Sequence, residues 1–325
     1  MFCPICKNAS INMIFKNFPG YYDSFYDIFT CLNCNTSFID TYDLNTNIYN
    51  RVYNQLSNDV SNSSGYSRYS TYSSEIKNSN NPIKYLIQNE NNYFPVYSFI
   101  KDKSNLKILD VGCGLGYLTY ALNSLGHEVV GIDISESAIK NAKSNFGNFF
   151  IRGDLLKDNL KFDNTFDLII GIELIEHLLD LNGFIKKCTY FLKDGGSMIF
   201  TTPNKDYPGL SDSVWFTDSP PVHTLWLSKK SLESISKEHN LKIEFMNSEN
   251  NLIKNNLLLP YLYDKYIRKN PNLEWSQDIS PNKPSWHNII YILTNLYFIR
   301  KISNLIFYKL IKNNQQALFV RFERQ

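Results

Sequence analysis

An α/β fold with a doubly wound, mostly parallel sheet is predicted by three observations. Between Lys107 and Met246 short apolar runs alternate with amphipathic stretches, the order that a parallel sheet covered by crossover helices requires. A glycine-rich turn, Gly112-Cys113-Gly114-Leu115-Gly116, joins the first run to the first helix, and acidic residues follow the ends of the next strands.

The chain opens on a different pattern. Cys3-Pro4-Ile5-Cys6 and Cys31-Leu32-Asn33-Cys34 are two C-x-x-C pairs. Each pair places two thiolates one metal-ligand bite apart, and two pairs close a tetrahedral zinc site. The residues between the pairs suit a zinc ribbon, with strands such as Ile11–Lys16 and Ile28–Thr30. A redox C-x-x-C needs only one pair, and disulfides are disfavoured in a cytoplasmic chain. Zinc on Cys3, Cys6, Cys31 and Cys34 would be structural, since four thiolates leave no open position. Cys113 and Cys188 read as small core residues.

Residues 1–45 are therefore expected to form the ribbon, 46–100 a linker and helical cap, and 101–325 the main domain. Tyr42–Leu56 is helical near its end. Ser57–Asn81, rich in Ser, Asn and Tyr, reads as a linker. Pro82–Ile100 is a helix broken or kinked at Pro95. Strands follow at Lys107–Val111, Glu128–Ile132, Phe149–Arg152, Asp167–Ile172, Ser197–Thr201 and Leu241–Met246. Helices lie between them at Tyr117–Leu125, Glu136–Asn145, Leu181–Leu192 and Ser228–His239. Asn251–Ile311 reads as helices, and Ala317–Phe322 alternates like a last strand.

Composition excludes several classes. With 325 residues, 43% hydrophobic and 20% charged, the chain can build a large core and is not globally disordered. A net charge of +2 is too mild for a nucleic-acid footprint. The mean hydropathy is −0.30, no run reaches the ~20 apolar residues of a membrane span, and Met1-Phe2-Cys3-Pro4 lacks a secretory pattern. A cytoplasmic location is expected.

The spacing G-x-G-x-G differs from the dinucleotide pattern G-x-G-x-x-G and suits a ligand without phosphate. Asp133 ends the second strand, where a carboxylate accepts hydrogen bonds from ribose hydroxyls. Asp154 follows the third strand, where it is able to accept from an adenine amino group. Either alone would serve as a turn or a helix cap; in order at successive strand ends they suggest a ligand site.

The stretches Leu109–Thr119, Val129–Ser135, Gly153–Lys157, Phe166–Leu178 and Leu192–Asn204 together resemble the class I S-adenosylmethionine-dependent methyltransferases. The resemblance implies a seven-stranded Rossmann-like methyltransferase sheet, with Ala317–Phe322 as its antiparallel last strand and a helical insertion at 251–312 before it. It implies that Asp110, Gly112, Gly114 and Gly116 surround the methionine part of S-adenosylmethionine. Asp133 would hold the ribose, Ile134 would lie against the adenine, and Asp154 and Leu155 would flank the adenine edge.

Glu173-Leu174-Ile175-Glu176-His177 follows the fourth strand. In a helix, Glu173, Glu176 and His177 share one face, and His223 follows two prolines further on. These residues either cap and pack at the sheet edge or do chemistry, with His177 or His223 as general base and Glu173 beside them. The pattern resembles ubiquinone-biosynthesis O-methyltransferases, and small-RNA 2′-O-methyltransferases in which two Glu and two His hold a divalent metal. Glu173, Glu176, His177 and His223 would then bind such an ion, Mg or Mn among the candidates. The sequence His223-Thr224-Leu225-Trp226, with the ribbon, is more similar to methyltransferases of surface-glycan and natural-product clusters.

The expected reaction is O-methylation of a small-molecule hydroxyl, with sugars or glycan precursors first and quinols next. No Asn/Asp-Pro-Pro-Tyr motif, the mark of base-amino methylation, follows the fourth strand. An RNA ribose hydroxyl is the alternative acceptor, disfavoured by the mild charge. A non-catalytic cofactor-binding module that docks a partner through its ribbon is the alternative from another class. The apolar segment His287–Lys312 reads as a packed helix, or else as a lid, a dimer face or a membrane-surface helix.

Overall fold

The computed structural model describes residues 1–20, 24–40, 69–162, 165–207, 220–255 and 317–325. The expectations for Tyr42–Leu56, for nearly all of the insertion at 251–312, and for the apolar segment His287–Lys312 lie outside these residues. Among the described residues no helix is long and apolar enough to cross a membrane.

The N-terminal strands are β1 (Ile11–Pro19), β2 (Phe25–Cys31) and β3 (Ser37–Ile39). Helices α1 (Tyr69–Asn78), α2 (Pro82–Asn89) and α3 (Phe94–Ile100) follow. The main domain then runs β4 (Lys107–Val111), α4 (Tyr117–Asn123), β5 (Glu128–Asp133), α5 (Glu136–Phe146), β6 (Phe150–Arg152), β7 (Phe166–Ile172), α6 (Leu181–Phe191) and β8 (Leu192–Pro203). It closes with β9 (Leu225–Trp226), α7 (Lys229–Glu238), β10 (Leu241–Phe245), α8 (Glu249–Lys254) and β11 (Ala317–Arg324).

Seven strands form the main sheet in the order β10-β11-β8-β7-β4-β5-β6. Strands β6, β5, β4, β7 and β8 are parallel, and β11 lies antiparallel between β8 and β10. The expected antiparallel last strand is therefore present. Alternation along each strand sorts side chains onto two faces. Leu109, Ile169, Met198 and Phe200 join one core, with Phe184 and Ile185 of α6 and Leu232 and Ile235 of α7. Ile108, Leu168, Ile170 and Ile199 join the other, with Leu118 and Leu122 of α4, Ile139 and Phe146 of α5, and the N-terminal helices. The sheet is thus covered on both sides.

Two expectations are corrected in the helical cap. The stretch expected as linker contains α1, because Tyr72 and Ile76, four apart, are both buried and Tyr72 meets Tyr85 and Tyr117 edge-on. Tertiary burial overrides a polar composition here. The helix break also falls before Pro95. Asn81 caps α2 by accepting from Lys84 N, the chain is extended at Glu90, and Pro95 sits in the first turn of α3, where its missing N–H costs nothing.

The four cysteines belong to a second sheet, β1-β2-β3-β9, whose last strand comes from the main domain. Phe38 pairs with Leu225 and Ser37 with Trp226. Cys3, Ile5, Cys31, Cys34 and Phe38 lie in the same core as α6 and α7, so the ribbon and the main sheet share one apolar interior.

Gly131 of β5 lies under the glycine loop. A Cβ there would meet Thr119 Oγ1 at 2.7 Å, Phe150 Cδ1 at 2.8 Å and Cys113 Sγ at 2.9 Å. Gly131→Ala is expected to destabilise the protein by about 1–3 kcal/mol through overpacking, read as a lower urea midpoint at unchanged slope.

Candidate active site

The carboxyl ends of β4, β5 and β7 lie side by side, and the candidate residues collect there. The loop after β4 turns through Gly112, Gly114 and Gly116, all at positive φ, a conformation that favours glycine. At Gly116 an added Cβ would also meet Phe150 Cζ at 2.5 Å and Ala142 Cβ at 2.9 Å.

Asp133 holds this loop. Its Oδ2 accepts from Gly114 N at 2.9 Å and its Oδ1 from Ser135 N at 2.8 Å. Each carboxylate oxygen keeps a second lone pair, so the group is able to bridge the loop and accept from a ligand hydroxyl as well. Ile134 beside it is half-buried. Gly153 N donates to Asp133 O at 3.0 Å, which brings Asp154 and Leu155 next to the end of β5. Asp154 Oδ1 accepts from Leu156 N and Lys157 N, and its Oδ2 lies 3.6 Å from Lys157 Nζ. Its side chain closes its own turn, and Leu155 is buried.

Asp110 is buried, and Thr119 Oγ1 donates to its Oδ2 at 2.6 Å. Burial, with Asp133 nearby, pushes its carboxyl up to about 7 against the relief given by Thr119. Burial also raises the Asp133 carboxyl, and the two backbone N–H groups partly offset this. A cationic ligand at this edge would favour the ionised form of both groups.

The segment after β7 departs from the helical expectation. Glu173 has φ +49°. Its N–H and its Oε1 both engage Thr201 Oγ1, at 2.9 Å each. Only Ile175–His177 forms a short 3₁₀ turn. Glu173 thus does not share a helical face with Glu176 and His177, because β8 holds it through Thr201. Glu176, His177 and His223 do converge: their ligand atoms lie within 4.8 Å of one another. His177 Nε2 is 3.8 Å from Glu176 Oε1, and the two imidazole rings are edge-to-face at 4.7 Å. His177 Nδ1 donates to Val222 O at 2.6 Å; a carbonyl only accepts, so this fixes the tautomer and leaves Nε2 facing the cluster. Glu176 is 1% exposed and His223 8%. A carboxylate so buried calls for a cationic neighbour, which a protonated imidazole or a bound divalent cation supplies.

The four N-terminal thiols form a second cluster within the same 4.8 Å limit. Cys3 Sγ lies 3.5 Å from Cys34 Sγ, and Cys6 Sγ lies 3.6 Å from Cys31 Sγ. Tetrahedral zinc with bonds near 2.3 Å requires sulfurs about 3.8 Å apart, so the donor set fits such an ion. The Cys34 thiol is held below its ordinary value by hydrogen bonds from Cys3 and then Thr36, while burial works against them. Thr36, Ser228, Ser231 and Lys205, which surround the second knuckle, carry no motif, and sequence reasoning missed them.

The Methyltransferase domain family matches residues 102–263. The ubiquinone biosynthesis O-methyltransferase of Pelagibacter ubique is 31% identical over 189 residues, covering 53% of this chain and 77% of that protein. The mitochondrial ubiquinone biosynthesis O-methyltransferase of Bos taurus is 33% identical over 163 residues, 44% of this chain but only 43% of that one. The solved YcgJ protein of Bacillus subtilis aligns with a TM-score of 0.46 at 14% identity, over 72% of this chain and 99% of that one. Fold, glycine loop and sequence together define the class: the chain belongs to the class I S-adenosylmethionine-dependent methyltransferases. Both of these relatives are named for ubiquinone biosynthesis.

The state of Asp110 gives stability a pH signature. Its folded value lies near 7 and its ordinary value near 3.8. The folded chain therefore keeps a proton that the unfolded chain releases, and the stabilisation is complete below about pH 4 and lost as pH rises through 7. Asp110→Asn, which is neutral at every pH, is expected to flatten the fall in stability between those values. Urea titrations from pH 4 to 8 with the same slope for both proteins would contradict this.

Proposed function

We propose that this protein transfers the methyl group of S-adenosylmethionine to a hydroxyl oxygen of a small molecule. The observation that carries the reading is the meeting of Glu176, His177 and His223 at the strand edge that also bears the glycine loop and Asp133. A positioned base beside a cofactor site suits a hydroxyl acceptor, whose proton must leave as the oxygen is methylated. A quinol-type phenolic hydroxyl is the acceptor we favour over a sugar, a choice supported by relatives named as O-methyltransferases of ubiquinone biosynthesis.

In this reading Asp133 accepts from the ribose hydroxyls, Ile134 lies against the adenine with Asp154 and Leu155 at its edge, and the loop from Asp110 to Gly116 encloses the methionine part. The cofactor supplies a methyl group on a cationic sulfonium, a charge that suits the buried pair Asp110 and Asp133. His177 Nε2, aimed by its bond to Val222, takes the acceptor proton, with His223 packed against it and Glu176 stabilising the resulting imidazolium. The same three residues also fit a divalent cation such as Mg or Mn, which would lower the pKa of the acceptor hydroxyl. Glu173 acts behind them by fixing the turn to β8. Zinc on Cys3, Cys6, Cys31 and Cys34 would be structural, and residues 1–45 and 101–325 would function as ribbon and transferase.

Asp133→Ala is expected to weaken S-adenosylmethionine binding by about 1.5–3 kcal/mol, the range for a hydrogen bond to a charged group. Equal affinity of the two proteins by calorimetry would refute the assignment. With a catechol as acceptor, His223→Ala should cut turnover by roughly 10²-fold or more while cofactor affinity stays within about twofold. Loss of activity on chelation, restored by Mg or Mn, marks the metal form of the mechanism; survival of chelation with a single-imidazole pH profile marks the base form. An alanine variant as active as the parent would defeat both.

A further inference from the structure

The second cysteine knuckle and His223 are far apart in sequence but joined by one short strand. Three residues after Cys34 the chain enters β3, and Phe38 and Ser37 pair with Leu225 and Trp226 of β9. At one end of β9, Ile39 N donates to Thr224 O at 3.2 Å. At the other, Ser228 Oγ donates to Cys34 O at 2.7 Å. Thr36 Oγ1, 3.1 Å from Cys34 Sγ, donates to Ser231 Oγ at 2.7 Å. Lys205 Nζ reaches over from the end of β8 to Asn35 O and Oδ1 at 2.8 and 3.0 Å. The segment Thr224–Ser228 is thus bracketed by the knuckle, and Trp226 packs between Phe18, Ile28 and Ile39 of the ribbon.

Thr224 passes this hold to the candidate site. It is 1% exposed, its N–H donates to Glu176 O at 2.9 Å, and its hydroxyl reaches Glu176 O at 3.2 Å and Leu178 O at 3.0 Å. His223 is the next residue back from this staple, and its ring meets that of His177 edge-to-face at 4.7 Å. The bonds to Thr224 from both sides oppose the conformational freedom that a loop residue regains on release.

We propose that the cysteine cluster is a clamp for the transferase site: through β3, β9 and the positioning residue Thr224, an ion bound by the four cysteines keeps His223 seated against Glu176 and His177. The consequences rest on the acceptor-side role given to His223 above, but the seating itself is measurable without any acceptor. Metal content at the four cysteines would then govern the competence of the site while leaving the glycine loop and Asp133, on strands β4 and β5, undisturbed.

The test is the rate at which diethyl pyrocarbonate modifies each histidine of the full chain, mapped by peptide mass, with zinc content measured in parallel. His127 is buried beside Leu106, remote from the ribbon, and serves as the reference for general unfolding. In the zinc-loaded protein His223 should react slowly. Removal of zinc with a mercurial and chelator should speed its modification roughly tenfold, with His127 unchanged and S-adenosylmethionine affinity within about twofold. Thr224→Val, which keeps the ribbon and its metal, should expose His223 in the same way, and Thr224→Ser, which restores the hydroxyl, should protect it again. The proposal is overturned if His223 stays protected in the metal-free protein and in Thr224→Val, or if His223 and His127 become reactive together as the cofactor affinity is lost. Activity that survives His223→Ala would remove the catalytic reading alone, whereas the clamp stands or falls on the modification rates.

Discussion

Everything at the candidate site depends on the register of three parallel strands. Asp110 of β4 stands opposite Gly131 of β5 and Ile170 of β7, so all three strands end at one edge and their following loops emerge together. Parallel strands point their carboxyl ends the same way, which is why ligands of open α/β sheets bind there. The register is pinned by the two cores. A slip of one residue would send Ile108 and Leu109 to each other's faces, exchanging positions that the helices on either side have already filled.

The same edge concentrates charge that the apolar interior penalises. Asp110, Asp133 and Glu176 are all buried. The folded chain meets that cost in different ways. Asp110 tends to keep its proton, Asp133 is bonded by two backbone N–H groups, and Glu176 lies against two imidazoles. A cationic cofactor on one side and an imidazolium or metal ion on the other are the ligands that such a distribution favours. In the proposed reading the site's electrostatics divide into a cofactor half on β4 and β5 and an acceptor half on β7 and the segment that carries His223.

The placement of the glycine loop and Asp133 at one sheet edge was legible in the sequence because its signals are local: three glycines in five residues, and an acidic residue at a strand end. The clustering of the four cysteines was legible for the same reason. The acceptor half was only partly so. Glu173, Glu176 and His177 have helical spacing, but the pattern cannot reveal that Thr201, on the neighbouring strand, holds Glu173 at positive φ. Helix α1 was hidden because a run of Ser, Tyr and Asn carries little apolar periodicity, and its two buried positions gain their meaning only from Tyr85 and Tyr117 across the interface. The pairing of β3 with β9 was hidden most completely. Two short strands, one beside a cysteine knuckle and one after a loop, have no motif that announces their union, and the bonds from Thr36, Ser228 and Lys205 are made by residue types common on any surface.

The most direct test of the proposed site is a crystal structure of the zinc-loaded protein with S-adenosylhomocysteine and a catechol acceptor. The assigned roles predict ribose hydroxyls within about 3.2 Å of the Asp133 carboxylate, with the cofactor sulfur and an acceptor oxygen facing each other beside His177 Nε2 and His223. A cofactor whose ribose is held away from Asp133, or an acceptor bound away from Glu176, His177 and His223, would contradict them.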